Sequence, residues 1–338
     1  MHVKHGLVLL PVWLATAGWL RAQPGGESTY GFLNLTPSPQ AAALGGKPNA
    51  IPDESPAAAF YNPALLDSAS DNYFALNYVH YFADINFGYA AYAHSYGHHH
   101  FAAGVHYVNY GRFTEADMTG AITGSFTAAE YAFNLTYSHP LPWLDGALTA
   151  GVNLKPLLSV FERYSSVGLL ADAGFTYRHP GRLFLAALVV RNMGAQLTTY
   201  ADNGREKVPF EIQLGFSHRL QYAPFRFSLV AQHLESRLGG GILPKGEKEK
   251  TGVGLYADEA MRHLILGIEC FPFKGLILRG GYNYHRRQEM KVLSYTGTTG
   301  FSWGVGIRIS RFHIDYARSR WHLAGSSNHF AVNIDLSR

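Results

Sequence analysis

From residue 72 to the last residue, apolar and polar positions alternate with a period of two, the signature of half-buried β-strands. In 147–154, Leu148, Ala150, Val152 and Leu154 share one face, with Thr149, Gly151 and Asn153 on the other. In 210–220, Phe210, Ile212, Leu214 and Phe216 alternate with Glu211, Gln213, Gly215 and Ser217. Phe301, Trp303, Val305, Ile307 and Ile309 alternate with Ser302, Gly304, Gly306, Arg308 and Ser310, and Phe330, Val332, Ile334 and Leu336 with Ala331, Asn333 and Asp335. Read this way, the chain predicts strands at 72–81, 84–96, 98–110, 128–138, 145–158, 166–178, 182–192, 208–220, 225–235, 262–271, 274–287, 299–309, 311–319 and 327–337. The strand around Arg191 (LFLAALVVRN) is apolar on both faces, and its pattern assigns no orientation.

A soluble sandwich also alternates, so the connections decide. Every second one is short: Gly97, 139–144, 179–181, 221–224, 272–273 and Ser310. Several of the others are long: 111–127, 193–207, 236–261 and 288–298. Short turns on one rim and long loops on the other are the arrangement of outer-membrane barrels. Aromatics near strand ends, among them Tyr78, Tyr81, Tyr107, Tyr110, Tyr282 and Trp321, suit membrane-interface girdles. The expected fold is therefore all-β: a transmembrane antiparallel barrel of about fourteen strands, integral to a bacterial outer membrane.

The stretch 41–66 (AAALGGKPNAIPDESPAAAFYNPALL) breaks both periods. Gly45-Gly46 and Pro48, Pro52, Pro56 and Pro63 interrupt it, yet it is too apolar for a solvated linker. A compact, irregular, semi-apolar segment before a long β array reads as a plug inside the barrel. Ahead of it, Lys4 and the apolar run 6–20, ending in Arg21-Ala22-Gln23, read as a secretory signal. The expected divisions are a signal peptide at 1–22, a plug at 23–71 and a barrel at 72–338.

Composition agrees. Charged residues are 15% of the chain, below the roughly 25% of soluble domains. Without residues 1–22 the chain keeps 26 basic and 24 acidic residues, a net charge of +2, which gives no reason to expect nucleic acid. The single cysteine, Cys270, precludes an internal disulfide. Asp172, Arg219, Arg226, Glu269, Arg279, Arg308, Asp315 and Asp335 fall on inward faces, with both signs present, so ion pairs across the lumen and to the plug are expected. His98-His99-His100 sits at a short turn with no accompanying carboxylate or cysteine, and Ser217 and His218, being adjacent, point to opposite faces. No nucleophile elbow, zinc-protease motif or phosphate loop is present, so no enzyme, metal or cofactor is expected.

Several stretches carry a resemblance. Residues 30–46 (YGFLNLTPSPQAAALGG), 61–66 (YNPALL), 108–131 (VNYGRFTEADMTGAITGSFTAAEY), 188–200 and 209–229 together resemble the PorQ family of the Bacteroidetes type IX secretion system. The match covers roughly residues 25 to 235; beyond Ser236 only the barrel pattern supports it. The box Tyr61, Asn62, Pro63, Ala64 also looks like the hatch signature of FadL-type transporters, and PorV proteins carry something similar. The PorQ resemblance implies a non-enzymatic barrel that holds a PorZ-like surface protein beside PorU- and PorV-like proteins, with lipopolysaccharide linked to that partner. Partner-binding candidates are then the outer-loop residues Phe113, Glu115, Asp117, Tyr200, Lys245 and Lys248. The rival readings are a FadL-like channel for hydrophobic small molecules and a PorV-like cargo shuttle. The inward faces, polar or glycine-rich in sequence, speak against an apolar luminal pocket and so favour the anchor.

Overall fold

The computed structural model describes residues 28–82, 85–181, 183–200, 204–236, 253–290, 298–322 and 325–337. The predicted signal peptide and the loop positions Lys245 and Lys248 lie outside the described residues.

Fourteen antiparallel strands close into one barrel in which each strand pairs with its sequence neighbours and β1 pairs with β14. They are β1 Tyr73–His80, β2 Asn86–Tyr96, β3 His99–Ala116, β4 Ile122–Leu141, β5 Leu148–Phe161, β6 Tyr164–Arg178 and β7 Phe184–Gln196. The other half is β8 Glu211–Arg219, β9 Phe225–Ala231, β10 Leu264–Phe273, β11 Leu276–Asn283, β12 Phe301–Ile309, β13 Phe312–His322 and β14 Gly325–Asp335. Pairing β1 (Tyr73↔Asp335 through His80↔Asn328) to the last strand removes both sheet edges. Among the described residues three short α-helices accompany the strands: α1 Pro39–Ala43 in the plug, α2 Val253–Arg262 after β9 and α3 Tyr284–Met290 after β11. No helix among the described residues is long and apolar enough to cross a membrane.

Alternation sorts the wall into two faces. Leu135, Val152, Phe330 and Leu278 point outward and are 45–54% exposed, while Asn134, Asn153, His329 and Arg279 between them are buried. An exposed belt of Leu, Val, Ile and Phe around a closed barrel with a polar interior is stable only where the solvent outside is hydrocarbon. The fold confirms that the inward charges named above, Arg226, Glu269, Arg279, Asp315 and Asp172, belong to the lumen. Arg191, unassigned in sequence, also points inward and is buried.

Several expectations change. Residues 111–127 are not a long loop: β3 and β4 run on as a paired hairpin through Phe113↔Phe126 to Ala116↔Ile122, leaving only 117–121 as the turn. The sequence TEADMTGAITGS lacks apolar alternation because this arm runs beyond its last pairs to β2 and β5 and has no buried face. The strand predicted to end at 287 stops at Asn283, followed by α3 from Tyr284, and 253–261, expected as loop, belongs to α2, which also takes Arg262 from the predicted strand start. Gly306 turns inward as its alternation indicates, into a tight site where a Cβ would overlap the Asp315 carboxylate.

Candidate functional site: the luminal plug and the wall it covers

Residues 28–72 fill the lumen. The described chain begins at the long-loop rim, where Thr29 N donates to Lys207 O (2.9 Å), and leaves at the short-turn rim, where Leu336 N donates to Asn72 O (2.9 Å) beside the start of β1. Its prolines start structure as well as interrupting it. Ser38-Pro39, Ser55-Pro56 and Asn62-Pro63 each put a capping side chain before a proline at the first helical position. Proline suits that position because its missing N–H has no partner there and its φ is already helical. The cap oxygens accept from Ala41 N (3.5 Å), Ala57 N (3.2 Å) and Ala64 N (2.9 Å), satisfying donors that would otherwise be orphaned inside the barrel. Reading these prolines only as breakers misses the device, although the repeated Ser/Asn-Pro pairs carry it in plain sight.

The YNPA box is the joint between plug and wall. Asn62 is fully buried; besides its cap bond, Nδ2 donates to Asn49 O (2.8 Å) and to Thr176 Oγ1 of β6 (2.9 Å). It fits only because position 174 is glycine, where a Cβ would overlap Asn62 Oδ1. Tyr61 OH accepts from Ser38 N (3.3 Å), and burial raises the phenol pKa well above its ordinary value. Pro63 and Ala64 begin the 3₁₀ turn Pro63–Leu65 that packs on β4, β5 and β6.

Beyond the box, wall side chains hold the plug's backbone carbonyls. Ser302 Oγ donates to Ala43 O (3.0 Å), Ser319 Oγ to Ala42 O (3.1 Å), Ser217 Oγ to Ala50 O (2.6 Å) and Asn283 Nδ2 to Gly45 O (3.1 Å). Ion pairs tie its charged residues: Lys47 to Glu211 at 2.8 Å, Glu54 to Arg308 at 3.0 Å and Asp67 to Arg178 at 3.0 Å. Wall pairs complete the lumen, with Lys155–Asp172 at 2.6 Å, Arg226–Glu269 at 2.7 Å and Arg279 between Glu269 and Asp315. Asp53 faces that last group, and its carboxyl is raised to about 6 by burial and by Asp315, against the opposing pull of His313 and Arg279. Phe60 receives two cations: its ring centroid lies 5.6 Å from the Arg191 guanidinium and 5.8 Å from Lys155 Nζ. His106 meets the same ring edge-on at 5.1 Å.

One part of the lumen is apolar, contrary to the reading of the inward faces from sequence. Val79, Phe87, Val108, Ala132, Leu157 and Leu170, one from each of β1 to β6, form a continuous inner surface. The plug's own Tyr30, Phe32 and Leu33 cover it, with Leu35 and Val208 packed at its margin. Tyr30 OH is 2.6 Å from Ser166 Oγ, and burial raises the phenol pKa. The six residues are scattered through mixed inward faces, so no stretch of sequence displays the patch.

The loop candidates divide. Phe113 and Glu115 are exposed on the hairpin arm, and Phe113 stacks on Phe126 at 5.1 Å. Asp117 is spent on its own turn: its carboxylate accepts from Thr119 N (2.8 Å), Thr119 Oγ1 (2.6 Å) and Ala121 N (3.0 Å), which lowers its pKa. Tyr200 is not at a free loop tip. It turns back on the wall, donating to Ser159 Oγ (2.6 Å) and meeting Phe161 edge-on. Of the histidine run, His100 is buried against Ser95 Oγ (2.8 Å), while His99 stacks on His139.

This architecture, a fourteen-strand barrel with an N-terminal luminal plug, has solved relatives in shape. The Ralstonia pickettii toluene transporter TbuX matches over 90% of this chain and 98% of its own, with TM-score 0.54 and 14% identity. A Pseudomonas aeruginosa FadL homologue matches over 92% and 99%, with TM-score 0.51 and 12% identity. The protein is an outer-membrane β-barrel with the FadL fold. A deletion mutant of the monoaromatic hydrocarbon channel TodX matches over 88% and 97%, with TM-score 0.53 and 12% identity. No protein-family model and no curated protein matches the sequence. At these identities the likeness is one of fold, and the comparisons lend nothing to the PorQ resemblance.

Proposed function

We propose that the protein is an outer-membrane channel for apolar small molecules, kept closed by its own N-terminal segment. The observation that carries this is the apolar surface across β1–β6, occupied by Phe32 and Leu33. Burying one such side chain stabilises by about 1.5–3 kcal/mol, so an apolar solute of similar size can compete for the same surface. The rest of the plug is held by hydrogen bonds and ion pairs that such a solute does not replace. The moving part in this reading is 28–35, tied to the wall by Thr29 N–Lys207 O and Tyr30 OH–Ser166 Oγ at its start, and the fixed part is 38–66. The toluene transporter and the monoaromatic hydrocarbon channel among the fold relatives support the same class of solute.

The test is uptake of labelled toluene by cells or outer-membrane vesicles carrying the full chain or the Phe32→Ala/Leu33→Ala variant. Uptake above barrel-free vesicles is expected for the parent and a higher rate for the variant, with the folded barrel unchanged. Equal, background uptake in both overturns the channel.

A second reading, a surface anchor in type IX secretion, is supported by the hairpin arm 111–127, which projects from the long-loop rim with both faces exposed. It would hold a PorZ-like protein beside PorU- and PorV-like partners, near lipopolysaccharide. Replacing 113–126 by a short turn releases a surface protein into the medium under this reading and leaves toluene uptake intact; under the channel reading, surface proteins stay in place.

A further inference from the structure

The outer face of a closed barrel is convex, yet across β7–β12 the wall carries a groove of about 620 Å³. Its floor is a row of small residues paired from strand to strand: Ser217 with Ser228, Ser228 with Gly267, Gly267 with Gly281 and Gly281 with Ser302. The register is unbroken along this row, so the groove is an indentation and not an opening to the lumen. The cause lies inside. These five residues face the plug, and Gly281, lacking a side chain, lets the wall rest on the backbone of Leu44 and Gly45, where a Cβ would overlap it. Gly267 sits against Leu44, and Ser302 Oγ holds Ala43 O at 3.0 Å. The wall lies directly on the plug here, and these small residues, turned inward, leave only backbone on the outer face between the flanking side chains.

Large side chains flank the floor. Phe216, Leu229, Leu266, Tyr282 and Phe301 stand on the long-loop side and Phe227 and Ile268 on the other. In the second row the next position is Gly280, which leaves a gap beside Ile268. The outward-pointing groups are apolar apart from His218 near one end and the Tyr282 hydroxyl near the other. Five strand spacings give the groove a length of about 24 Å, set obliquely by the strand tilt, against about 30 Å of hydrocarbon.

We propose that this groove is a binding site for one acyl chain of a membrane lipid, held as a specific ligand rather than as bulk solvent. It is continuous with the lipid-facing belt, so the surrounding bilayer supplies the occupant. Between His218 and the Tyr282 hydroxyl the outward-pointing side chains offer no donor or acceptor for a headgroup, so the chain is what it recognises. A chain lying across the strands touches a floor and two walls, whereas on a convex wall it touches one surface, and contact area sets dispersion and burial. The site is independent of solute passage through the lumen.

The experiment uses the full-length barrel in detergent micelles with a small molar excess of a phosphatidylethanolamine bearing a photoactivatable diazirine on one acyl chain. After irradiation, adducts are mapped by mass spectrometry. Labelling on β9–β11 is expected several-fold above that at Leu135 and Val152, which are more exposed but lie on the opposite side of the barrel. Gly280→Phe fills the gap and should bring the groove down to the level of those two positions. Gly280→Ala, whose methyl would meet only Ile268 Cγ2 at 3.4 Å, should lower it in part and keeps the test usable if the larger variant does not fold. Unlabelled lipid should compete. Labelling that merely follows exposure around the wall, or is unchanged on filling the gap, overturns the proposal. So does displacement by toluene but not by lipid, which would make the groove a solute site.

Discussion

Replacing Asn62 by alanine should undock the plug while leaving the barrel closed. The side chain makes three hydrogen bonds in a fully buried position, from Ala64 N and to Asn49 O and Thr176 Oγ1. Its loss leaves a backbone N–H and a backbone carbonyl without partners, whereas the Thr176 hydroxyl can rotate. A buried polar group left unsatisfied costs about 1–3 kcal/mol, so the two backbone groups together cost about 2–6 kcal/mol, the N-cap included. The fourteen strand pairings do not involve Asn62, so that loss falls on docking rather than on the wall. Hydrogen exchange in reconstituted barrels reads it directly. At about 4 kcal/mol, amides of 41–66 exchange about 1,000-fold faster, at 1.4 kcal/mol per factor of ten, while strand amides stay protected. The double variant Asn62→Ala/Thr176→Val should lose no more than Asn62→Ala, because it removes a partner as well as the bond to it. Unchanged protection of 41–66 would refute the argument, and so would equal loss in plug and strands, which would mean that plug and barrel fold as one unit.

Val305→Arg, on the lipid face near the middle of β12, should cost about 2–4 kcal/mol, while Ile309→Arg at the short-turn end should cost about 0–1 kcal/mol, both measured as folded fraction by the heat shift on denaturing gels. Asp53 has a folded pKa near 6 against an unfolded value near 4, so its ionisation opposes docking; the penalty is absent below the lower value and complete above pH 6. Protection of 41–66 should therefore rise as pH falls from 8 to 5, and Asp53→Asn should flatten that profile; a parent profile with no slope, or the opposite one, contradicts the assignment.

The barrel was legible because its wall divides two solvents. Lipid outside and plug inside force side chains to alternate at every step, so Phe301 to Ile309 or Phe330 to Leu336 show their faces without any neighbour. Turn lengths then gave the rims and closure. The same logic fails where a segment has one environment on both sides. The arm 111–127, exposed on both faces, carries no period and reads as loop although it is paired strand. The Arg191 strand, apolar on both sides, hid an inward arginine that stacks on Phe60. The plug showed its composition but not its route, because each short turn is set by contacts with strands more than a hundred residues away, as Asn62 with Thr176 and Ser302 with Ala43. The apolar luminal surface and the outer groove were likewise decided by the tertiary structure. Each takes one to three residues from each of six strands, so neither exists until the register brings those strands together, and a linear pattern records only what a residue shares with its neighbours along the chain.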